Sequence, residues 1–259
     1  MMGCGGVEAQ NYHSMAFVRR GAYKYHRQND EMIIDPLTAM FFAKHCEYAV
    51  SHPFQCGDDC IEFRFENELL REARPALRQV EKKRSRPVRT TAAPISSAIQ
   101  YEIGLLAKKI ELGRATGLEI EESALSVLNA VGVIESAVEG SKASHMQGRN
   151  KNRARRLVEQ SKEILLSDLG RDWSLSEIAQ RVDVSPFHLT RLVRKFTGFT
   201  LHRFLVQQRL AIALHRILEG ADNITALAFD LGFSSHSHFS AAFKKEYGQP
   251  PSSIRMQSI

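Results

Sequence analysis

Between residues 175 and 247 one pattern occurs twice: a short amphipathic helix, a tight turn, and a second helix opened by a capping hydroxyl. In the first copy Leu175, Ile178, Ala179 and Val182 follow helical spacing, with small Ala179 where a neighbouring helix must approach closely. Asp183-Val184 turns the chain. Ser185 can accept an orphan amide of the next helix, and Pro186 at its first position gives up a donor that has no partner there. That helix buries Leu189, Leu192, Val193 and Phe196 and stops at Gly198.

The second copy buries Ile224, Ala228 and Leu231, turns at Gly232-Phe233, caps with Ser234-Ser235 and anchors its second helix on Phe239 and Phe243. Between the copies, Leu201, Phe204, Leu205, Gln208, Ala211, Leu214 and Leu218 form one apolar stripe of helical period over about 200–219. A single helix there sets the separation of the two motifs rigidly. Two such units can address successive turns of one DNA major groove, whose repeat is about 34 Å.

Gly232-Phe233, Ser235, Phe239-Ser240, Phe243-Lys244-Lys245, Gly248 and Pro251-Ser252-Ser253-Ile254-Arg255 stand in an order and spacing that resemble the DNA-binding domain of the AraC/XylS family of bacterial transcription regulators. The resemblance covers about 157–256. It departs from the family pattern at Ala241, where members commonly carry Arg or another polar residue, and at Ile254, where a Tyr usually precedes the closing Arg. The resemblance implies insertion of both recognition helices into double-stranded DNA, DNA bending, contact with RNA polymerase, a small-molecule effector, homodimerisation, and activation of transcription. No cofactor is implied.

On this reading the base-contacting residues are Phe187, Thr190 and Arg191 in the first motif and His236, Ser237 and His238 in the second. Phosphate contacts are expected from His188, Arg194, Lys195, Ser240, Lys244 and Lys245. Arg191 resembles the family position that reaches guanine, and Phe187 the one that touches a thymine methyl. The plainer alternatives are an ordinary surface arginine and a core phenylalanine on a misjudged face. The charge distribution agrees with the division of labour: residues 150–259 hold 16 Lys+Arg against 10 Asp+Glu, whereas 1–149 hold 19 of each, so the net charge of +6 belongs to the C-terminal part.

The N-terminal part has β-favouring runs at 15–18, 31–34, 39–42 and 60–65, separated by turn-like Arg-Gly, Asp-Pro and Cys-Gly-Asp-Asp. A small sheet or open barrel follows. Gly21, Tyr23, His26, Ile34-Asp35-Pro36, Ser51-His52-Pro53 and Gly57-Asp58-Asp59-Cys60 resemble the shortened cupin-like sensor of AraC-type regulators over roughly fifty residues. Basic Lys82 to Pro87 reads as an exposed loop. Two helical stretches follow at about 95–114 and 119–139, broken at Gly117. The first presents Ile99, Ile103, Leu106 and Ile110; the second Ile120, Ala124, Leu125, Leu128, Val131 and Ile134. The pair either caps the sheet or dimerises.

The expected organisation is a multidomain α+β chain: a cupin-like β sensor at 1–95, a helical hairpin at 96–140, a polar linker at 141–152 and an all-α tandem helix-turn-helix domain at 153–259. No apolar run approaches the ~18 residues of a membrane span, and the opening lacks a signal-peptide pattern, so a cytoplasmic protein with reduced cysteines is expected. His45, Cys46, His52, Cys56 and Cys60 have donor types that suit a soft metal or a thiol sensor, but paired Cys-x-x-Cys units are missing and free cysteines are common in small sheets. The His-x-His, Glu and distal His of cupin metalloenzymes are also missing, so the chain is not read as an enzyme. The rivals are a DNA-organising protein without sequence preference and a metal-sensing or enzymatic sensor fused to a DNA-binding domain.

Overall fold

The computed structural model describes residues 8–27, 30–54, 57–66, 91–140 and 148–257. It divides into two compact units, one of Met1–Asp30 and Ile34–Ala143, the other of Glu31–Ile33 and Ser144–Ile259.

Apart from Glu31–Ile33 of β4, the first unit holds the strands, which are short: β1 (Glu8–Ala9), β2 (His13–Gly21), β3 (Tyr23–Arg27), β4 (Asp30–Ile34), β5 (Thr38–Phe42), β6 (Glu47–Ser51), β7 (Asp58–Phe65) and β8 (Thr91–Pro94). They form two four-stranded sheets, ordered β1-β6-β3-β4 and β7-β2-β5-β8. The antiparallel register pairs Met15 with Phe41 across β2 and β5, and Met15 with Phe63 across β2 and β7. Because side chains alternate across a sheet, Met15, Phe17, Ala39, Phe41, Phe63, Phe65 and Ala93 share one face and pack on a helical hairpin. The hairpin is α1 (Ser97–Glu111) and α2 (Gly117–Gly140), which contribute Ile99, Ile103, Leu106, Val127 and Leu128 to that core. The opposite face of the same sheet, with Ala16 and Phe42, looks toward the other sheet, where Phe42 meets Tyr48 and Tyr25 at ring separations of 4.7 and 6.1 Å.

The four expected β runs all lie in strands, and β1, β3, β6 and β8 are additional. Each of these is only two to five residues long and so gives at most a brief periodic signal in the sequence. A bulge between Val18 and Arg20 leaves Arg19 as the extra residue of β2. Its guanidinium pairs with Asp59 at 2.7 Å and with Glu111 at 2.7 Å, tying sheet to hairpin. Gly21 sits at φ +75°, where a Cβ would fall 1.9 Å from the Gly57 carbonyl oxygen; only glycine fits.

Gly117 does not break the hairpin as expected: it opens α2, and the left-handed position is Gly113 at φ +65°. Thr116 and Glu119 form a reciprocal cap, with the Glu119 amide donating to Thr116 Oγ1 at 3.2 Å and the Thr116 amide to Glu119 Oε2 at 3.0 Å. Ile110 and Leu125, expected to be buried, are 43% and 41% exposed. The Lys82 to Pro87 stretch lies outside the described residues.

The second unit is helical: α3 (Gly148–Ser167), α4 (Leu175–Arg181), α5 (Pro186–Thr197), α6 (Leu201–Leu218), α7 (Ile224–Asp230), α8 (His236–Tyr247) and α9 (Pro251–Gln257). The expected linker at 141–152 is corrected in part: α3 starts at Gly148, and 141–147 lies outside the described residues. Its polar composition hid the helix, because Ala154, Val158 and Leu165 supply a narrow buried stripe among charged neighbours. Helix α6 is capped by Thr200, which accepts from the Arg203 amide, and ends at Glu219. It buries its expected stripe and also Leu210, Ala213, His215 and Ile217, because motifs pack on it from two sides.

Candidate nucleic-acid interface

Each motif is a helix, a left-handed turn residue and a serine-capped second helix, and the two turns share one hydrogen-bond scheme. In the first, Asp183 adopts φ 54°, its amide donates to the Gln180 carbonyl, and the Val184 amide donates to Ala179 at 3.0 Å. In the second, Gly232 adopts φ 76°, its amide donates to the Phe229 carbonyl, and the Phe233 amide donates to Ala228 at 3.0 Å. The first turn tolerates an aspartate. The second cannot, since a Cβ on Gly232 would lie 2.4 Å from the Gly170 carbonyl oxygen and 2.7 Å from Arg209 Nη2.

Ser185 accepts from the His188 amide at 3.2 Å to open α5, and Ser235 accepts from the His238 amide at 3.1 Å to open α8. Both helices close on left-handed glycines, Gly198 and Gly248 at φ 76°. Leu189, Leu192 and Val193 bury one face of α5; Phe239 and Phe243 are fully buried under α8. Each buried side chain of this size is worth about 1.5–3 kcal/mol, and the burial fixes which face of each helix looks out. Phe196, expected in the core, is only partly buried at the last turn of α5.

The outer face of α5 carries Phe187, which is 79% exposed, together with exposed Arg191, Arg194 and Lys195; His188 and Thr190 are half-buried. Phe187 is therefore not a core residue, and the alternative reading of a misjudged face falls. Thr190 Oγ1 donates to the Pro186 carbonyl at 2.9 Å, leaving its oxygen as an acceptor. On α8, His236, Ser237, His238, Lys244 and Lys245 are exposed and Ser240 is half-buried. Its histidines are engaged locally: His238 Nδ1 lies 3.3 Å from Ser234 Oγ and packs edge-on against Phe233, and His236 Nε2 lies 3.4 Å from Ser240 Oγ. Ala241 is exposed on this face, and Ile254 is fully buried, so the first departure alters the surface and the second the packing.

Arg209, which the sequence reading missed, holds the two motifs in one frame. From α6 its guanidinium donates to the carbonyls of Leu169 at 2.7 Å and Arg171 at 2.9 Å, ahead of the first motif, and of Gly232 at 2.9 Å, in the turn of the second. Burial pulls its pKa down, and the charges of Asp172 and Asp168 oppose that shift. Trp173 is a second such element: Arg171 and Arg181 stack over its ring at 4.2 and 4.9 Å, and both pair with Glu177. A Ser174-x-x-Glu177 capping signal at the start of α4 was available in the sequence.

The residues weighed as soft-metal donors are placed as follows. Cys46 is buried in the sheet–hairpin core, His52 and Cys60 both contact Asp58 on the other side of the sheet, and Cys56 lies outside the described residues. Among the described residues no group of three or more His, Cys, Asp or Glu is placed to hold a metal ion, and no helix is long and apolar enough to cross a membrane.

Two serine-capped helices presented from one central helix define a tandem helix-turn-helix domain. A helix-turn-helix domain model matches residues 178–257. The transcriptional activator RhaS of Escherichia fergusonii is 38% identical over 82 residues, which are 32% of this chain and 30% of RhaS. The HTH-type transcriptional regulator YidL of Escherichia coli is 31% identical over 104 residues, 40% of this chain and 35% of YidL. The chain thus spans about a third of the length of these curated relatives. Among solved structures, an AraC-type regulator from Chromobacterium violaceum aligns with TM-score 0.39 and 23% identity over 40% of this chain and 94% of its own. ToxT of Vibrio cholerae aligns with TM-score 0.37 and 14% identity over 96% of this chain and 90% of its own. Over these residues the C-terminal part of the chain is similar to helix-turn-helix transcriptional regulators.

Proposed function

We propose that the chain is a sequence-specific DNA-binding transcription regulator of AraC type, an effector-responsive activator that works in the cytoplasm as a homodimer and contacts RNA polymerase. One observation carries the reading: the same turn, with the same hydrogen bonds and the same serine cap, occurs twice on either side of α6 and leaves an exposed polar and cationic face on both second helices. The transcriptional activators among the relatives support activation. The exposed apolar side chains of the hairpin, Ile110, Leu112, Leu118 and Leu125, support a contact with a second copy.

The two readers are unequal. Arg191 has the long forked donor that reads guanine, while α8 offers Ala241 and two histidines already engaged by serines. The first motif therefore supplies most of the base preference and the second mostly phosphate contacts through Lys244 and Lys245. Competition binding on a randomised-site library at fixed salt tests both statements. Arg191→Ala relaxes preference at one position and costs about 1–3 kcal/mol, whereas Lys195→Ala weakens all sequences alike. A wild-type profile without sequence preference would mean a DNA-organising protein instead.

A further inference from the structure

Three side chains of β7, Asp58, Cys60 and Glu62, share the face opposite the one that Phe63 and Phe65 bury under the hairpin. They line a cavity of about 760 Å³ between the two sheets, within the range of about 300–1,000 Å³ usual for small-molecule sites. Tyr23 from β3 and Tyr48 from β6 face them from the other sheet, and Phe42 from β5 stands beside them on their own sheet. No lysine or arginine is among the described residues that line it.

The carboxylates are held in place. His52 Nε2 lies 2.5 Å from Asp58 Oδ1, and the Cys60 thiol donates to Asp58 Oδ2 at 3.0 Å. Gln10 Nε2 donates to Glu62 Oε1 at 3.1 Å, and Arg64 Nε donates to Glu62 Oε2 at 3.1 Å. An ionised carboxylate has about four acceptor sites, so both groups keep capacity for a further donor. Desolvation first, and then the hydrogen bond and charge of the Asp58 carboxylate, push the Cys60 thiol up and keep it protonated; burial first, with the Asp58 charge adding to it, pushes the Tyr23 phenol up.

We propose that this cavity binds a small organic cation, an ammonium group on an apolar body, seated between the Asp58 and Glu62 carboxylates and the Tyr23, Phe42 and Tyr48 rings. Carboxylates give charge-assisted hydrogen bonds to the ammonium, ring faces attract it through their quadrupoles, and the same rings cover the apolar body. A carboxylate or phosphate ligand would meet like charges, and the basic side chains beside them, His52 and Arg64, are already paired with Asp58 and Glu62. Among the described residues no three or more His, Cys, Asp or Glu group to hold a divalent metal. The proposal deepens the effector-responsive reading and rests on it for the consequence at DNA, while the binding itself stands apart.

Calorimetric titration of the full chain with phenethylammonium, and with 2-phenylethanol and 3-phenylpropionate as its neutral and anionic counterparts, tests it. The ammonium binds, the counterparts bind at least about tenfold more weakly, and Asp58→Asn with Glu62→Gln lowers ammonium affinity at least about tenfold. Glu121→Gln, on the exposed side of α2, leaves it unchanged. Thermal unfolding of each variant verifies that it folds. Equal or tighter binding of 3-phenylpropionate, no heat from any of the three at millimolar concentration, or an unchanged affinity in the folded double variant overturns the proposal. Ammonium binding that leaves DNA affinity unaltered upholds the site and counts against the sensor reading.

Discussion

Two neighbours on α6 show how differently a buried polar residue can act. Arg209 satisfies three backbone carbonyls with one side chain, and removing it takes the donor from all three at once. Gln208, fully buried beside it, has neither amide atom hydrogen-bonded among the described residues. The two substitutions should move stability in opposite directions. Arg209→Met costs about 2–4 kcal/mol, while Gln208→Met, similar in volume, stabilises by about 1–2 kcal/mol. Urea unfolding of the two variants reads both signs, and a destabilised Gln208→Met would point to a partner that this residue requires. The sequence placed Gln208 on the apolar stripe but gave no sign of Arg209's role, since its three acceptors are backbone atoms 23 to 40 residues away.

At the scale of an element, the start of α2 joins a cap to an ion pair. Hydrogen bonding from Lys109, then from the Thr116 amide, lowers the Glu119 carboxyl to about 2, below the usual ~4.3 of a glutamate in an unfolded chain. A depressed folded pKa means that this group's contribution is complete above pH ~4.3 and is lost as pH falls toward 2. Both partners are exposed, so the effect on stability is small. Carbon-detected titration of the Glu119 carboxyl should give a midpoint well below 4. Lys109→Ala should move it upward, and a midpoint unchanged by that substitution would show that the ion pair contributes nothing. The Thr116-Gly-Leu-Glu119 string was readable as a capping box; the Lys109 contact was not, because it depends on how the hairpin closes.

At the scale of the molecule, α1 and α2 cover the sheet with one side and leave Leu118 66% exposed, with Ile110, Leu112 and Leu125 above 40%. Apolar surface of this kind is costly to leave in water. The intact protein is expected to sediment as a dimer at micromolar concentration, residues 144–259 as a monomer that still binds DNA, and Leu118→Glu with Leu125→Glu as a monomeric full-length chain. A full-length wild type that sediments as a monomer would remove the second copy from the proposal.

Periodicity and turn chemistry determined the C-terminal unit almost completely. Helices whose apolar positions recur at i, i+3, i+4 and i+7 between a capping serine and a left-handed glycine carry their own start, stop and inward face, and these signals span only a few residues. Phe187 and Arg191 could be assigned to the outer face for that reason. Tertiary structure alone decided what depends on pairs distant in the chain: the partition of strands into two sheets, the cavity that brings Asp58 and Glu62 opposite Tyr23 and Tyr48, the dispersal of the cysteine–histidine cluster, and the Arg209 clamp. Strand pairing and buried contacts are settled by which surfaces exclude water together, a property of the folded chain that no local window of residues contains.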